Sequence, residues 1–149
     1  MKPILSTFGD TQVHVTDHPT SSDHAAVLQT LRAFTIDTVP VLDNHDFAAL
    51  ITDPEGSVIG GLVATSRWGG FQIDMLALPQ SLRGRGLGSH LLALAEQAAR
   101  DRQCHHMLLD TQAFQARAFY EKHGFTIFGQ IDGPAPYYPR YFMKRTLSL

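Results

Sequence analysis

The segment Arg83-Gly84-Arg85-Gly86-Leu87-Gly88 combines residue types suited to holding an anion. Glycines let backbone N–H groups come close to a ligand, and the first turn of a helix offers unpaired N–H groups at the positive end of its dipole. Apolar residues at helical spacing begin at Leu87, directly after the glycines, so the segment reads as a site for a phosphate or pyrophosphate. Arg83 and Arg85 add guanidinium donors for the same oxygens. The same residues also read as a plain glycine-rich connection flanked by solubilising arginines. Spacing separates the ligand classes. Counted from Gly84, the dinucleotide pattern Gly-x-Gly-x-x-Gly needs a third glycine at 89, where Ser89 stands, and the P-loop needs a lysine that this loop lacks.

A second chemical signal is Asp74, a carboxylate inside the otherwise apolar run Phe71-Gln72-Ile73-Asp74-Met75-Leu76. A charge there requires a partner or a purpose: a backbone amide, an arginine such as Arg67, a substrate ammonium, or work as a base. With strand alternation, Asp74 shares a face with Gln72. The Cys104-His105-His106 run suggests metal ligation, but adjacent strand residues diverge and no second ligand cluster answers them. Cys104, the only cysteine, reads as a small buried apolar residue and excludes an internal disulfide. Neither His-Glu-x-x-His nor Gly-x-Ser-x-Gly occurs.

These residues are positioned by alternating strands and helices. Thr11 to Val15 reads as a strand, and Thr20-Ser21-Ser22-Asp23 as a helix cap before Val27, Leu28, Leu31 and Phe34, with Pro40 closing the region. Phe47 to Thr52 and Ser57 to Ala64 form a hairpin about the turn Asp53-Pro54-Glu55-Gly56, and Gly69-Gly70 leads into a strand over Phe71 to Leu78. Leu87 to Arg102 is the clearest helix, with apolar residues at 87, 91, 94, 95, 98 and 99. His106 to Leu109 follows as a strand, Phe114 to His123 as a helix stopped by Gly124, and Phe125 to Ile131 and Arg140 to Leu147 as strands around a proline-rich loop.

The 149 residues, 44% of them hydrophobic, suffice for one domain over 1–149 with a real core. Twelve Lys plus Arg against 14 Asp plus Glu give a net charge of -2, which argues against a nucleic-acid partner. No apolar run approaches the roughly 20 residues of a membrane span, and no leader pattern is visible, so a soluble cytoplasmic protein without a membrane partner is expected.

Two segments together resemble the GCN5-related N-acetyltransferase (GNAT) superfamily. Arg83-x-x-Gly86-x-Gly88 matches that family's acetyl-CoA signature, and Ala116-Arg117-Ala118-Phe119-Tyr120-Glu121-Lys122-His123-Gly124-Phe125 matches its second hallmark, at the expected distance. The resemblance implies an α/β (α+β) fold: a mixed, mostly antiparallel sheet of six to seven strands, flanked by about four helices, with a V-shaped splay between the fourth and fifth strands. It implies acetyl-CoA as donor, with the backbone of Leu76, Ala77 and Leu78 pairing with the pantetheine arm as an added strand, and Arg83, Gly84, Arg85, Gly86, Leu87, Gly88 and Ser89 around the pyrophosphate. It implies no metal.

By the same resemblance Tyr120 is the acid that protonates the departing thiolate. The glutamate that serves some members as base falls at Gln72 here, which leaves Asp74 two residues on as the candidate base or ammonium ligand. The family asparagine that contacts the cofactor is Ala113, and Thr111, Gln112 or Gln115 are the available substitutes, Gln115 standing next to the motif. The expected reaction is direct transfer of an acetyl group to a primary amine in a ternary complex. With Asp46, Asp74, Trp68 and tyrosines toward the acceptor side, a small-molecule amine is favoured. Acetylation of a protein lysine or N-terminus, or acyl-CoA binding without catalysis, are the alternatives. His45, Asp46, Arg67-Trp68 and Tyr137-Tyr138 are candidate acceptor-pocket residues, and a homodimer contact involving Tyr141-Phe142-Met143 is expected.

Overall fold

The computed structural model describes residues 5–38 and 44–148. The chain forms two compact units, Met1–Leu42 and Asp43–Leu149. In the first, β1 (Leu5–Phe8) and β2 (Thr11–His14) pair antiparallel, and α1 spans Ser21–Thr38. The expected cap is present: the Asp23 N–H donates to the Thr20 hydroxyl at 3.1 Å, while the Thr20 N–H donates to the Asp23 carboxylate at 2.7 Å. The Thr20 hydroxyl, which also donates to this carboxylate, holds its pKa below the ordinary value. The expected stop at Pro40 lies outside the described residues.

In the second unit, β3 (Asn44–Thr52) and β4 (Val58–Arg67) form a hairpin whose turn is closed by the Ser57 N–H donating to the Asp53 carboxylate at 2.8 Å. β5 (Gly70–Ala77), a single 3-10 turn over Gln80–Leu82, α2 (Leu87–Asp101), β6 (His106–Gln112), α3 (Arg117–Lys122), β7 (Thr126–Ile131) and β8 (Arg140–Thr146) follow. The sheet order is β3-β4-β5-β6-β8-β7, and every pairing is antiparallel except β5 with β6.

This is the mixed, mostly antiparallel architecture expected, with two corrections to the helices. The six strands of the sheet fall within the expected six to seven, and Thr11–His14 pairs with Leu5–Phe8 in a sheet of its own. Three α-helices, rather than about four, occur among the described residues. The last helix is shorter than Phe114 to His123. The Ala113 N–H is committed to the Pro139 carbonyl and the Gln115 N–H to the Gln112 carbonyl, so the chain turns before Arg117 and the helix begins only there. In addition, β8 lies inside the sheet between β6 and β7, where Tyr141 and Met143 are buried.

The helical period of α2 turns Leu91, Leu92, Ala95 and Ala99 onto one face of the sheet, against Leu62, Ala64, Phe71, Ile73, Met107 and Leu109. Strand alternation supplies those partners, and each fully buried leucine contributes about 2 kcal/mol. Glu96 ties α2 to β8, its carboxylate meeting Arg145 at 2.7 Å and Arg100 at 2.8 Å.

Ser66 is one of the few buried polar side chains. It accepts from Arg102 Nη1 at 3.0 Å, while the same guanidinium reaches the His45 and Asp46 carbonyls at 3.1 and 3.0 Å. Because Arg102 keeps two acceptors, Ser66→Ala is expected to lower stability by only about 1 kcal/mol. Urea unfolding at constant slope checks this, and a loss several times larger would show that Ser66 does more than accept from Arg102 and donate to the His45 carbonyl at 3.4 Å.

Candidate active site

β5 and β6 run together for three residue pairs only, Gly70 with His106 through Gln72 with Leu108. Beyond that point β5 stays with β4 to Ala77 and β6 stays with β8 to Gln112, so the two strands part. The splay expected between the strands of Phe71 and His106 is therefore present. A cavity of about 970 Å³ fills it, lined by Ile73 to Leu78 on one side, Leu109 to Thr111 on the other, and the start of α2 at its end.

The glycine loop and α2 build the polar end of this cavity. Gly84 and Gly86 have φ of 73° and 82°, the left-handed region that glycine adopts without strain. A Cβ at either would meet nothing within 4 Å, so the loop presents bare backbone beside open space. Gly86 is the N-cap of α2, and the first hydrogen bond of the helix runs from the His90 N–H to the Gly86 carbonyl. The N–H groups of Leu87, Gly88 and Ser89 thus precede the helical ladder and are free for an anion. This donor set and open cradle fit a pyrophosphate.

The expected cofactor residues fall differently within this frame. Leu76, Ala77, Leu78, Arg83, Gly84, Gly86, Leu87, Gly88, Ser89 and Gln115 all line the cavity, whereas Arg85 is exposed and does not. Arg83 Nε donates to the Leu78 carbonyl at 3.2 Å, so this guanidinium braces the end of β5 as well as facing the cavity. Gly88 is buried: a Cβ there would come within 3.3 Å of the Phe119 ring, so its bareness serves the approach of α3 to α2. The Gln115 side-chain oxygen accepts the Gln112 N–H at 2.8 Å, which leaves its amide N–H groups as donors beside Ala113.

Tyr120 lines the cavity with its ring buried between Phe119 and Phe125, at centroid distances of 5.2 and 5.8 Å. Burial raises the pKa of its phenol, because the anion would lose solvation. Tyr120 therefore stays protonated through neutral pH, as a proton donor must.

Asp74 does not follow the simple alternation assumed for it. Val63 pairs with Met75 and Ala64 with Ile73, so Asp74 is the extra residue of a β-bulge. The bulge re-aims the side chain: Asp74 is exposed and accepts a hydrogen bond from the Thr65 hydroxyl at 3.3 Å, and among the described residues no arginine pairs with it. It lines the main cavity and also a second one of about 480 Å³, which Thr65, Arg67, Trp68, Gln72 and His106 complete. Trp68 adopts φ 51° in the turn before Gly69, with the Arg67 guanidinium 4.9 Å from its ring centroid. A bulky residue held in the left-handed region is a common mark of a functional surface.

Other candidates lie elsewhere. Cys104 is buried in the core, and no group of three His, Cys, Asp or Glu side chains gathers among the described residues. Asp46 and Tyr137-Tyr138 line neither cavity. No helix among the described residues is long and apolar enough to cross a membrane. Arg102 and His123 escaped sequence reasoning because their partners, Ser66 and Ser89, are far away in the chain.

The profile of the Acetyltransferase (GNAT) family matches residues 14–125. An acetyltransferase of Agrobacterium fabrum, Atu2258, is 35% identical over 109 residues, covering 73% of this chain and 79% of that protein. Blasticidin-S acetyltransferase of Streptomyces morookaense is 35% identical over 91 residues, covering 60% and 67%. The crystal structure of an acetyltransferase from Bacillus cereus superimposes with a TM-score of 0.74 at 26% identity, over 89% of this chain and 97% of that one.

Proposed function

The chain belongs to the GNAT family of acetyltransferases, whose acetyl donor is acetyl-CoA, and on that premise we propose that it transfers acetyl directly to the primary amine of a small molecule. One observation carries the reading: donor cavity and second cavity meet at Asp74, where β5 parts from β6. An amine entering from the side of Trp68 and Gln72 would reach a carboxylate before it reaches the donor. The near-balanced charge and a relative named for a small-molecule acceptor support this reading.

Bound acetyl-CoA supplies the thioester. The loop Arg83 to Ser89 holds its pyrophosphate by backbone N–H groups, and the edge of β5 at Leu76 and Ala77, with Leu78 just beyond it, orients the pantetheine arm. Asp74 holds the incoming ammonium and takes its proton, directly or through water. The C–N bond then forms as the C–S bond breaks, the Tyr120 hydroxyl gives its proton to the sulfur, and the nitrogen's second proton leaves through water, which also restores the Tyr120 hydroxyl. Holding both substrates at one crevice removes much of the entropic cost of their meeting.

Titration with acetyl-CoA followed by thiol release across an amine panel tests the function. Intersecting initial-rate patterns are expected, and parallel lines would indicate an acetylated enzyme instead of direct transfer. Binding without thiol release from any amine or peptide would mark a non-catalytic acyl-CoA module, and turnover confined to peptides a protein acetyltransferase. Asp74→Asn is expected to lower kcat/KM by about tenfold while leaving acetyl-CoA affinity unchanged. Equal kcat/KM in wild type and variant would remove Asp74 from the reaction.

A further inference from the structure

His123 caps the C-terminus of α3, and its ring reaches back to α2. Nδ1 lies 2.8 Å from the Phe119 carbonyl and Nε2 lies 2.9 Å from the Ser89 hydroxyl, with the ring tilted on Phe119 at 4.5 Å. Ser89 is the third residue of α2 and lines the donor cavity. A carbonyl oxygen only accepts, so Nδ1 carries a proton in either charge state.

The consequence falls on Ser89. With a neutral ring, Nε2 is bare and takes the Ser89 O–H, so the hydroxyl shows only lone pairs to the cavity. That polarity is wrong for a phosphate oxygen. With a protonated ring, Nε2–H donates to Oγ and the Ser89 O–H is released as a donor at the helix N-terminus. We propose that His123 is a positioning residue which, through Ser89, couples proton uptake to binding of the pyrophosphate of acetyl-CoA. This rests on the donor-site reading above and adds its regulation: donor affinity rises as pH falls.

The charged groups on neighbouring elements do not bond the ring among the described residues. Glu121, on α3 beside Lys122, is held by Arg117 at 2.7 Å. On β8, Arg145 passes Gly124 but is paired with Glu96 at 2.7 Å. His90 on α2 and Arg83 and Arg85 in the loop complete the set.

The test is calorimetric titration with acetyl-CoA across neutral pH in the wild type, His123→Leu and Ser89→Ala. Titration of the ligand's own phosphate is common to all three and cancels in the comparison. Between about pH 6 and about pH 8, wild-type affinity is expected to fall about fivefold more than that of either variant, below the limit of tenfold per pH unit for one linked proton. Ser89→Ala leaves the His123 bond to Phe119 in place, so it serves even where His123→Leu folds poorly. A wild-type slope that persists in Ser89→Ala would overturn the coupling through the hydroxyl, as would equal slopes in all three. Absence of acetyl-CoA binding to wild type at every pH would instead overturn the donor site itself.

Discussion

Gly86→Glu is expected to weaken acetyl-CoA binding at least about a hundredfold, the loss that follows when a tethered carboxylate takes over an anion site. Gly86 is the N-cap of α2 at φ 82°, and a Cβ there meets no protein atom within 4 Å. A side chain can therefore be accommodated, at a left-handed strain of about 1–2 kcal/mol. A glutamate grows into the space beside the unpaired N–H groups of Leu87, Gly88 and Ser89, where its charge is favourable to the helix and repels phosphate. Gly86→Ala carries the strain without the charge and separates the two effects; it should lose far less. Calorimetry with acetyl-CoA, with circular dichroism as a check on folding, decides the matter. Wild-type affinity in folded Gly86→Glu would mean that the pyrophosphate does not lie at this helix.

Tyr120→Phe should bind acetyl-CoA as the wild type does but turn over at least about tenfold more slowly, approaching the hundredfold usual for loss of a general acid. The ring contacts with Phe119 and Phe125 survive the change, so only the hydroxyl is removed. The direction of the pKa shift gives a second readout. Burial raises the phenol, so the acid form persists beyond the ordinary tyrosine range near 10 and activity lost through Tyr120 ionisation appears only above it. In the variant that alkaline limb disappears while the overall rate is low. Unchanged kcat in Tyr120→Phe would assign the proton to water or to another group.

The site was legible in the sequence to the extent that its parts are local. The glycine loop, the cap of α2 and the Tyr120 turn are each contained within about ten residues, and glycine and helix-terminus chemistry depend on immediate neighbours. The hairpin turn at Asp53 and the Thr20-Asp23 cap were readable for the same reason. The extra strand Leu5–Phe8 carries little alternation, and the start of α3 was overrun because the turn at Ala113 depends on the Pro139 carbonyl, a partner 26 positions away.

The sequence by itself determined the family, the order of strands and helices along most of the chain, and the glycine-rich turn from Arg83 into the start of α2. Only the tertiary structure decided that Asp74 is the extra residue of a bulge and touches both cavities, that Gly88 is bare to admit Phe119, and that Arg83 braces the Leu78 carbonyl. It also joined His123 to Ser89 across 34 positions. The physical reason is that periodicity and capping act over one or two turns of backbone. Strand register and helix approach are instead set by which side chains fill the space between distant segments, and no local pattern encodes that.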